Sequence, residues 1–136
     1  MWVLDTNTIS YYFRGEPQVV QRLQAQRPAE IGVPAIVVYE LRYGLARLPP
    51  EAAAPRTAAL NAFLRAVQTL PFDAACAEQA ATLRAALEAQ GQPIGPHDTL
   101  IAATAIAQQA PLVTRNVREF ARVAGLRVVN WMEQAS

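Results

Sequence analysis

The stretch VLDTNT, residues 3–8, ends an apolar run abruptly in an aspartate and decides how the chain begins. Residues 1–5 are apolar except for Asp5, partly β-branched and too few for a helix, which predicts a short buried strand. Small polar residues follow, and Thr6 or Asn7 is expected to cap the first helix. Asp5 would then stand at the carboxyl end of a buried strand, where an unpaired charge is costly.

Short apolar runs alternate with helical patterns along the rest of the chain. Further strands are predicted at EIGV (30–33), PLVT (111–114) and LRVVNW (126–131), and TLPF (69–72) is predicted as a strand or an extended link. Helices are predicted at 6–14, 18–26, 35–48, 51–70, 74–91, 97–109 and 116–123. The segment from Pro49 to Pro55 is the only loop-rich break. This alternation predicts one α/β domain over residues 1–136, a three-layer sandwich with helices on both faces of a mainly parallel sheet of four to five strands.

Composition narrows the possible function classes. The net charge is only +1, so any contact with nucleic acid must come from a local patch. All 12 basic residues are arginines, which excludes a phosphate-binding P-loop and removes the lysine that a receiver domain uses. A single cysteine, Cys76, fits a reducing compartment, and no apolar run is long enough to span a membrane. A soluble cytoplasmic protein is expected.

Acidic residues recur where the predicted strands end and the next helices begin. Taken singly, Glu40, Asp98 and Glu119 are most simply read as helix-cap, dipole or surface residues. Together with Asp5 they fall on one edge of a parallel sheet, the edge at which such sheets bind ligands. Converging carboxylates repel one another unless a cation neutralises them, and Mg²⁺ or Mn²⁺ prefers such oxygen ligands. The pattern predicts a divalent-metal site for phosphate chemistry.

Four motifs, in order along the whole chain, resemble the PIN-domain ribonucleases, and most closely the VapC toxins of bacterial toxin–antitoxin pairs. They are VLDTN, VYELRYG, GQPIGPHDTLIAA and LVTRNVREFARVAGLRVVNW. The resemblance implies a PIN fold and a metal-dependent endoribonuclease whose catalytic acids are Asp5, Glu40 and Asp98, with Asp5 and Asp98 holding the principal Mg²⁺. Many members carry a fourth aspartate where this chain has Asn116; Glu119 is expected to supply that carboxylate.

The resemblance also implies partners. These are an RNA substrate, a VapB-type antitoxin that occupies the active site and carries the contact with operator DNA, and a homodimer whose groove receives an antitoxin helix. The aromatic residues Tyr11 to Phe13, and those of the helix around Glu40, fit core packing and a protein interface equally well.

Uncharged residues at the same edge are candidates for orienting ligands or waters: Thr6, Asn7, Thr114 and Asn116. Helix capping is an equal and compatible reading for Thr6 and Asn7. Among the arginines near the acids, Arg115 is the first candidate for a substrate phosphate, because it follows a strand end directly. His97 is set aside as a structural residue.

Other function classes use parts of the same pattern. A PIN-like binding module without catalysis is disfavoured because Asp5, Glu40 and Asp98 are all present. A dehalogenase-like phosphatase needs a second aspartate where this chain has Asn7, and a lysine that the chain lacks. A DNA nuclease stays open, because the same metal chemistry cuts either sugar.

Overall fold

Five short strands form the sheet in the computed structural model, which describes residues 1–133. They are β1 Trp2–Leu4, β2 Ile31–Pro34, β3 Gln68–Leu70, β4 Leu112–Val113 and β5 Val128–Val129. Every neighbouring pair is parallel and the order across the sheet is β3-β2-β1-β4-β5. The predicted α/β class with a parallel sheet of four to five strands is confirmed.

Seven α-helices connect these strands in the described part of the chain. They are α1 Thr6–Phe13, α2 Pro17–Gln24, α3 Ala35–Ala46, α4 Pro50–Ala66, α5 Ala74–Ala89, α6 Pro96–Ala107 and α7 Val117–Phe120. The chain steps from β1 to β3 in one direction and then crosses to β4 and β5 in the other. Right-handed crossovers therefore place the connecting helices on opposite faces of the sheet.

The reversal of direction lies between β1 and β4, at the centre of the sheet. Val3 and Leu4 of β1 are fully buried, as are Leu112 and Val113 of β4, because helices cover both faces. Beyond the carboxyl ends of these two strands lies the crevice in which open α/β sheets bind ligands. The fold thus fixes the position of the residues that follow Leu4 and Val113.

The first helix is capped differently from the prediction. Asp5 is the N-cap of α1, and its Oδ1 accepts a hydrogen bond of 2.9 Å from the backbone N–H of Thr8. Capping by Thr6 or Asn7 was therefore wrong. The strand already ends at Leu4 and Thr6 is already helical, so Asp5 is the residue with extended backbone angles at the junction.

The region from Pro49 to Ala66 also departs from the prediction. Pro50 opens α4, in the position where its fixed φ suits a helix, and Pro55 lies inside the helix rather than in a loop. The helix ends at Ala66, before the predicted residue 70, because Gln68–Leu70 pairs with β2. Strand pairing outweighs a helical pattern that continues in the sequence. At the other end of the chain, α7 has only four residues instead of the predicted eight.

Prolines and an aspartate mark the starts of three other helices. Pro17 and Pro96 stand at the first positions of α2 and α6, and Asp73 caps α5 by accepting from the backbone N–H of Cys76. Cys76 is buried. Among residues 1–133 there is no helix with both the length and the apolar character needed to cross a bilayer.

Candidate active site

Asp5 is a buried carboxylate at the end of the central strand. Its side chain is 5% exposed, and its backbone N–H donates to the carbonyl of Val113 across the β1–β4 pair. Burial raises the pKa of Asp5, hydrogen bonds from Thr114 and Thr8 oppose that rise, and the negative charge of Glu40 adds to it. A carboxylate in this position favours a proton or a cation.

Asp98 lies in the first turn of α6 but does not cap it, since Gly95 occupies the cap position. The pKa of Asp98 is raised to about 7, chiefly by partial burial and then by the negative charge and a hydrogen bond of Glu119 and the negative charges of Glu40 and Asp5. The structure therefore brings the four acidic residues predicted from the sequence into one electrostatic cluster at the carboxyl edge of the sheet.

Glu40, on α3, is held from two sides. The hydroxyl of Thr6 donates to its Oε1 at 2.6 Å, and Nδ1 of His97 lies 3.3 Å from its Oε2. The first of these bonds links α3 to the start of α1. Thr6 is thus a partner of a site carboxylate and not a helix cap.

Glu119 is held by the loop before α6 and by its own helix start. Its Oε1 accepts a hydrogen bond of 2.9 Å from the backbone N–H of Gly95, and the side-chain amide of Asn116 donates to its Oε2. The buried hydroxyl of Thr114 accepts from the backbone N–H of Asn116 at 2.9 Å. Asn116, at the place of the expected fourth aspartate, therefore positions the neighbouring glutamate.

Two predicted residues stand apart from this cluster. Asn7 is exposed on α1, and its side chain makes no hydrogen bond to any residue from 1 to 133. Arg115 is exposed and donates from Nη1 to the hydroxyl of Tyr11 at 3.1 Å. The structure does not bring Asn7 into the network of carboxylates, and Arg115 contacts α1 instead of the acidic residues.

Comparison with known proteins agrees with this geometry. The family model described as PIN domain matches residues 2–126. The chain belongs to the PIN-domain family. It is 38% identical to the VapC ribonuclease Y4jK of Sinorhizobium fredii, and the alignment covers 99% of this chain and 100% of that relative. It is 33% identical to the tRNA(fMet)-specific endonuclease VapC of Shigella flexneri, and that alignment covers 96% of this chain and 97% of the relative. These identities place it among the VapC proteins of that family.

A solved structure shows the same architecture. The chain superimposes with a TM-score of 0.87 and 33% identity on a chain of VapBC2 from Rickettsia felis, crystallised with a DNA fragment from its promoter, covering 96% of this chain and 98% of that one. The fold and the family predicted from the four motifs are therefore confirmed.

Three residues of this VapC-family site escaped the sequence analysis. Thr8 binds Asp5 through its backbone and donates from its hydroxyl to the carbonyl of Val113 at 3.0 Å. Gly95 donates to Glu119, and a Cβ added to it would lie 3.5 Å from Oδ2 of Asp98. His97, set aside as structural, contacts Glu40. Their nearness to Asp5 and Asp98 in sequence was the only available signal.

The carboxylate oxygens of the acidic cluster are ligands of the type that a hard divalent cation prefers, and a bound cation would relieve their mutual repulsion. Within residues 1–133, however, no three Asp, Glu, His or Cys side chains already form a coordination cluster. Hydrogen bonds to Thr6, Gly95 and Asn116 occupy Glu40 and Glu119 instead.

The raised pKa values predict how stability depends on pH without metal. An unfolded Asp98 ionises near 3.8, but the folded protein keeps that proton up to about pH 7, so folding is favoured at acidic pH and loses stability as pH rises between these values. We expect a loss on the order of 2 kcal/mol after solvent screening of this partly exposed group. Melting temperatures in EDTA from pH 4.5 to 8 measure it, and saturating Mg²⁺ should flatten the decline. A melting temperature that rises over this range would contradict the electrostatic cluster.

Proposed function

We propose that this chain is a Mg²⁺-dependent endoribonuclease that acts in the cytoplasm as the toxin of a VapBC-type toxin–antitoxin pair. The observation that carries the proposal is the cluster of Asp5, Glu40, Asp98 and Glu119, whose charges act on one another at the carboxyl edge of the sheet. Named relatives of this VapC-family chain are ribonucleases and endonucleases, which supports RNA as the substrate.

Asp5 and Asp98 are the residues proposed to hold the cation, with Mn²⁺ as an alternative to Mg²⁺. Both carry raised pKa values because their charged forms are desolvated and crowded, and a bound cation favours exactly those charged forms. When bound, such a cation lowers the pKa of a ligating water and neutralises charge on a phosphate. Thr8 and Thr114 fix the direction of the Asp5 carboxylate.

Glu40 and Glu119 complete the acidic pocket from opposite sides. Thr6 orients Glu40, and Gly95 together with Asn116 orients Glu119. Held in this way, the two carboxylates can accept protons or hydrogen bonds from waters near the phosphate without having to bind the metal directly. Exclusion of bulk water by the buried strand ends would strengthen these interactions.

The direct test is cleavage of a panel of structured and single-stranded RNAs, with single-stranded DNA as a parallel substrate. We expect cleavage of RNA with Mg²⁺, none with EDTA, and a loss of at least about a thousand-fold in Asp5→Ala. Melting curves must accompany Asp5→Ala, since it also removes the cap of α1. Cleavage that persists in EDTA, or full activity in Asp5→Ala, would overturn the mechanism, and DNA cleavage alone would reassign the substrate.

A swap tests whether Glu119 replaces the missing fourth aspartate. Glu119→Gln should lower cleavage about ten- to a hundred-fold and weaken Mg²⁺ binding, because it removes a charge and keeps the shape. Asn116→Asp in that background should restore cleavage to within about ten-fold of the original chain, since it returns a carboxylate to the neighbouring position. Isothermal titration with Mg²⁺ and initial rates measure both effects. If Glu119→Gln changes neither, Glu119 has no part in the site.

The antitoxin is proposed to bind in the groove between α1, α3 and α4. This groove has a volume of about 680 Å³, is walled by apolar residues such as Leu41, Leu45 and Leu60, and opens onto Glu40 at one end. An amphipathic antitoxin helix fits such a groove and would cover the acids, and operator DNA would be contacted only through the antitoxin. Leu45→Glu should then abolish co-purification with the cognate antitoxin; retained co-purification would exclude the groove.

A homodimer is proposed through the outer face of α3. Tyr39 and Tyr43 are 55% and 56% exposed and stack with centroids 6.5 Å apart. Exposed aromatic pairs of this kind are typical of protein interfaces. Light scattering of the original chain and of Tyr39→Ser/Tyr43→Ser should show a dimer and a monomer respectively, and a monomer in both would contradict the proposal.

A further inference from the structure

Tyr11, on α1, is flanked by two arginines that lie far apart in the sequence. Arg115 donates from Nη1 to the Tyr11 hydroxyl at 3.1 Å, and its Cζ lies 5.6 Å from the centroid of the ring. Cζ of Arg14 lies 5.7 Å from the same centroid. Tyr11 is partly buried against the core, whereas both arginines are exposed. We call Tyr11, Arg14 and Arg115 the arginine clamp.

Within residues 1–133, no ion pair neutralises the positive charge of the clamp. Neither Arg14 nor Arg115 forms a salt bridge with any residue from 1 to 133, in contrast to Arg27, which pairs with Glu30 at 2.5 Å. Cation–π attraction at exposed sites is weak, and repulsion between the two guanidiniums opposes it. Two guanidiniums oriented by one ring therefore form a site that an anion would stabilise.

The position of the clamp identifies the kind of anion. Arg115 directly follows Thr114 at the end of β4, and Tyr11 lies six residues after Asp5, a rise of about 9 Å along α1. Arg115 therefore lies beside the acidic cluster, and Arg14 lines the same groove as Thr6 and Glu40. Guanidinium groups match the oxygens of a phosphate in two-point hydrogen bonds, and a polyanionic strand that reaches a pocket of carboxylates needs cations beside it.

We propose that the arginine clamp binds a backbone phosphate of the RNA strand next to the phosphate that is cleaved. Arg14 and Arg115 contact the phosphate oxygens, and Tyr11 is a positioning residue that holds both guanidiniums in place. The clamp carries no sequence information and sets how the strand lies across the acids. This inference rests on the proposed ribonuclease function and adds a subsite to it.

The test measures binding and cleavage of one labelled single-stranded RNA as a function of salt. Arg14→Gln and Arg115→Gln should each weaken binding roughly five-fold and reduce the slope of log affinity against log salt, and the double variant should reduce it by about 0.7, the value for one phosphate contact on a single strand. In steady state, KM should rise with little change in kcat, because the contact is the same before and during the reaction. Tyr11→Leu should reproduce both effects.

Two further variants separate positioning from general damage to the fold. Tyr11→Phe keeps the ring and its packing but removes the hydroxyl that accepts from Arg115, so its loss of affinity should lie between the original chain and Tyr11→Leu. Arg27→Gln removes an arginine of equal charge at the amino edge of the sheet, before β2, and should leave KM and the salt slope unchanged. Melting temperatures are recorded for every variant.

The outcomes distinguish this proposal from the proposed function. If the original chain cleaves RNA but Arg14→Gln and Arg115→Gln keep its KM and salt slope, the clamp is wrong and the ribonuclease stands. If these variants lose only antitoxin binding, the clamp is likewise wrong as an RNA site, and it would instead bind an acidic segment of the antitoxin. If the original chain neither binds nor cleaves RNA, both proposals fail.

Discussion

Asp98→Asn is expected to slow RNA cleavage by at least about a thousand-fold and, at the same time, to raise the melting temperature of the metal-free protein. The substitution removes a charge that is proposed to bind the metal, while it keeps the shape of the side chain. It also removes the member of the acidic cluster whose pKa is raised to about 7 by burial and by three neighbouring carboxylates. Activity and stability should therefore move in opposite directions, as at a site built from mutually repelling groups.

Melting curves and initial rates at pH 8, with EDTA and with Mg²⁺, measure the two effects of Asp98→Asn. The decline of stability between pH 4 and 7 should become smaller in the variant, because Asp98 no longer titrates, while Asp5, whose pKa is also raised, still contributes. Glu88→Gln is the matched control; Glu88 is an exposed acid paired with Arg84 on α5, and its loss should change neither quantity noticeably. A destabilised Asp98→Asn protein with normal cleavage would refute both the electrostatic and the catalytic role.

Phe120→Ala is expected to cost about 3–5 kcal/mol of unfolding free energy. Phe120 is 1% exposed and is among the largest fully buried side chains of the described residues. It lies at the end of the four-residue helix α7, directly after Glu119, and a helix so short has little stability of its own. Its packing against the core therefore holds both the helix and the carboxylate before it.

Urea unfolding of Phe120→Ala provides the free energy, and the midpoint should fall without a large change in slope. RNA cleavage under folding conditions should fall as well, because Glu119 and Asn116 lose their support. Phe120→Leu keeps most of the buried volume and should lose much less stability. A loss below about 1 kcal/mol for Phe120→Ala would show that α7 is held by other contacts.

The sequence was sufficient to predict the sheet and the meeting of the four acids, because both follow from short-range patterns. Strand ends mark the carboxyl edge; Asp5, Asp98 and Glu119 each stand near such an end or a helix start, and Glu40 lies inside the helix that follows β2. It was insufficient where contacts are long-range. His97 reaches Glu40 across 57 positions and Gly95 reaches Glu119 across 24, and no local pattern encodes either pair.

Local rules also failed where two roles compete for one residue or one segment. Asp5 looked like a site residue, so the cap of α1 was assigned to Thr6 or Asn7, although one carboxylate does both. The helical pattern of the sequence continues through Gln68 to Leu70, yet these residues form β3 and pair with β2. Pro55 looked like a break, but a proline early in a 17-residue helix removes only one of many backbone hydrogen bonds.

The double use of Asp5 constrains how this protein can change over evolutionary time. A mutation that silences the toxin at this position also removes the first cap of the fold, unless the new residue can accept the bond from Thr8. Asparagine and serine can do so, whereas alanine would cost about 1 kcal/mol. Inactivated descendants that survive in genomes as folded proteins should therefore carry a short polar residue in place of this aspartate.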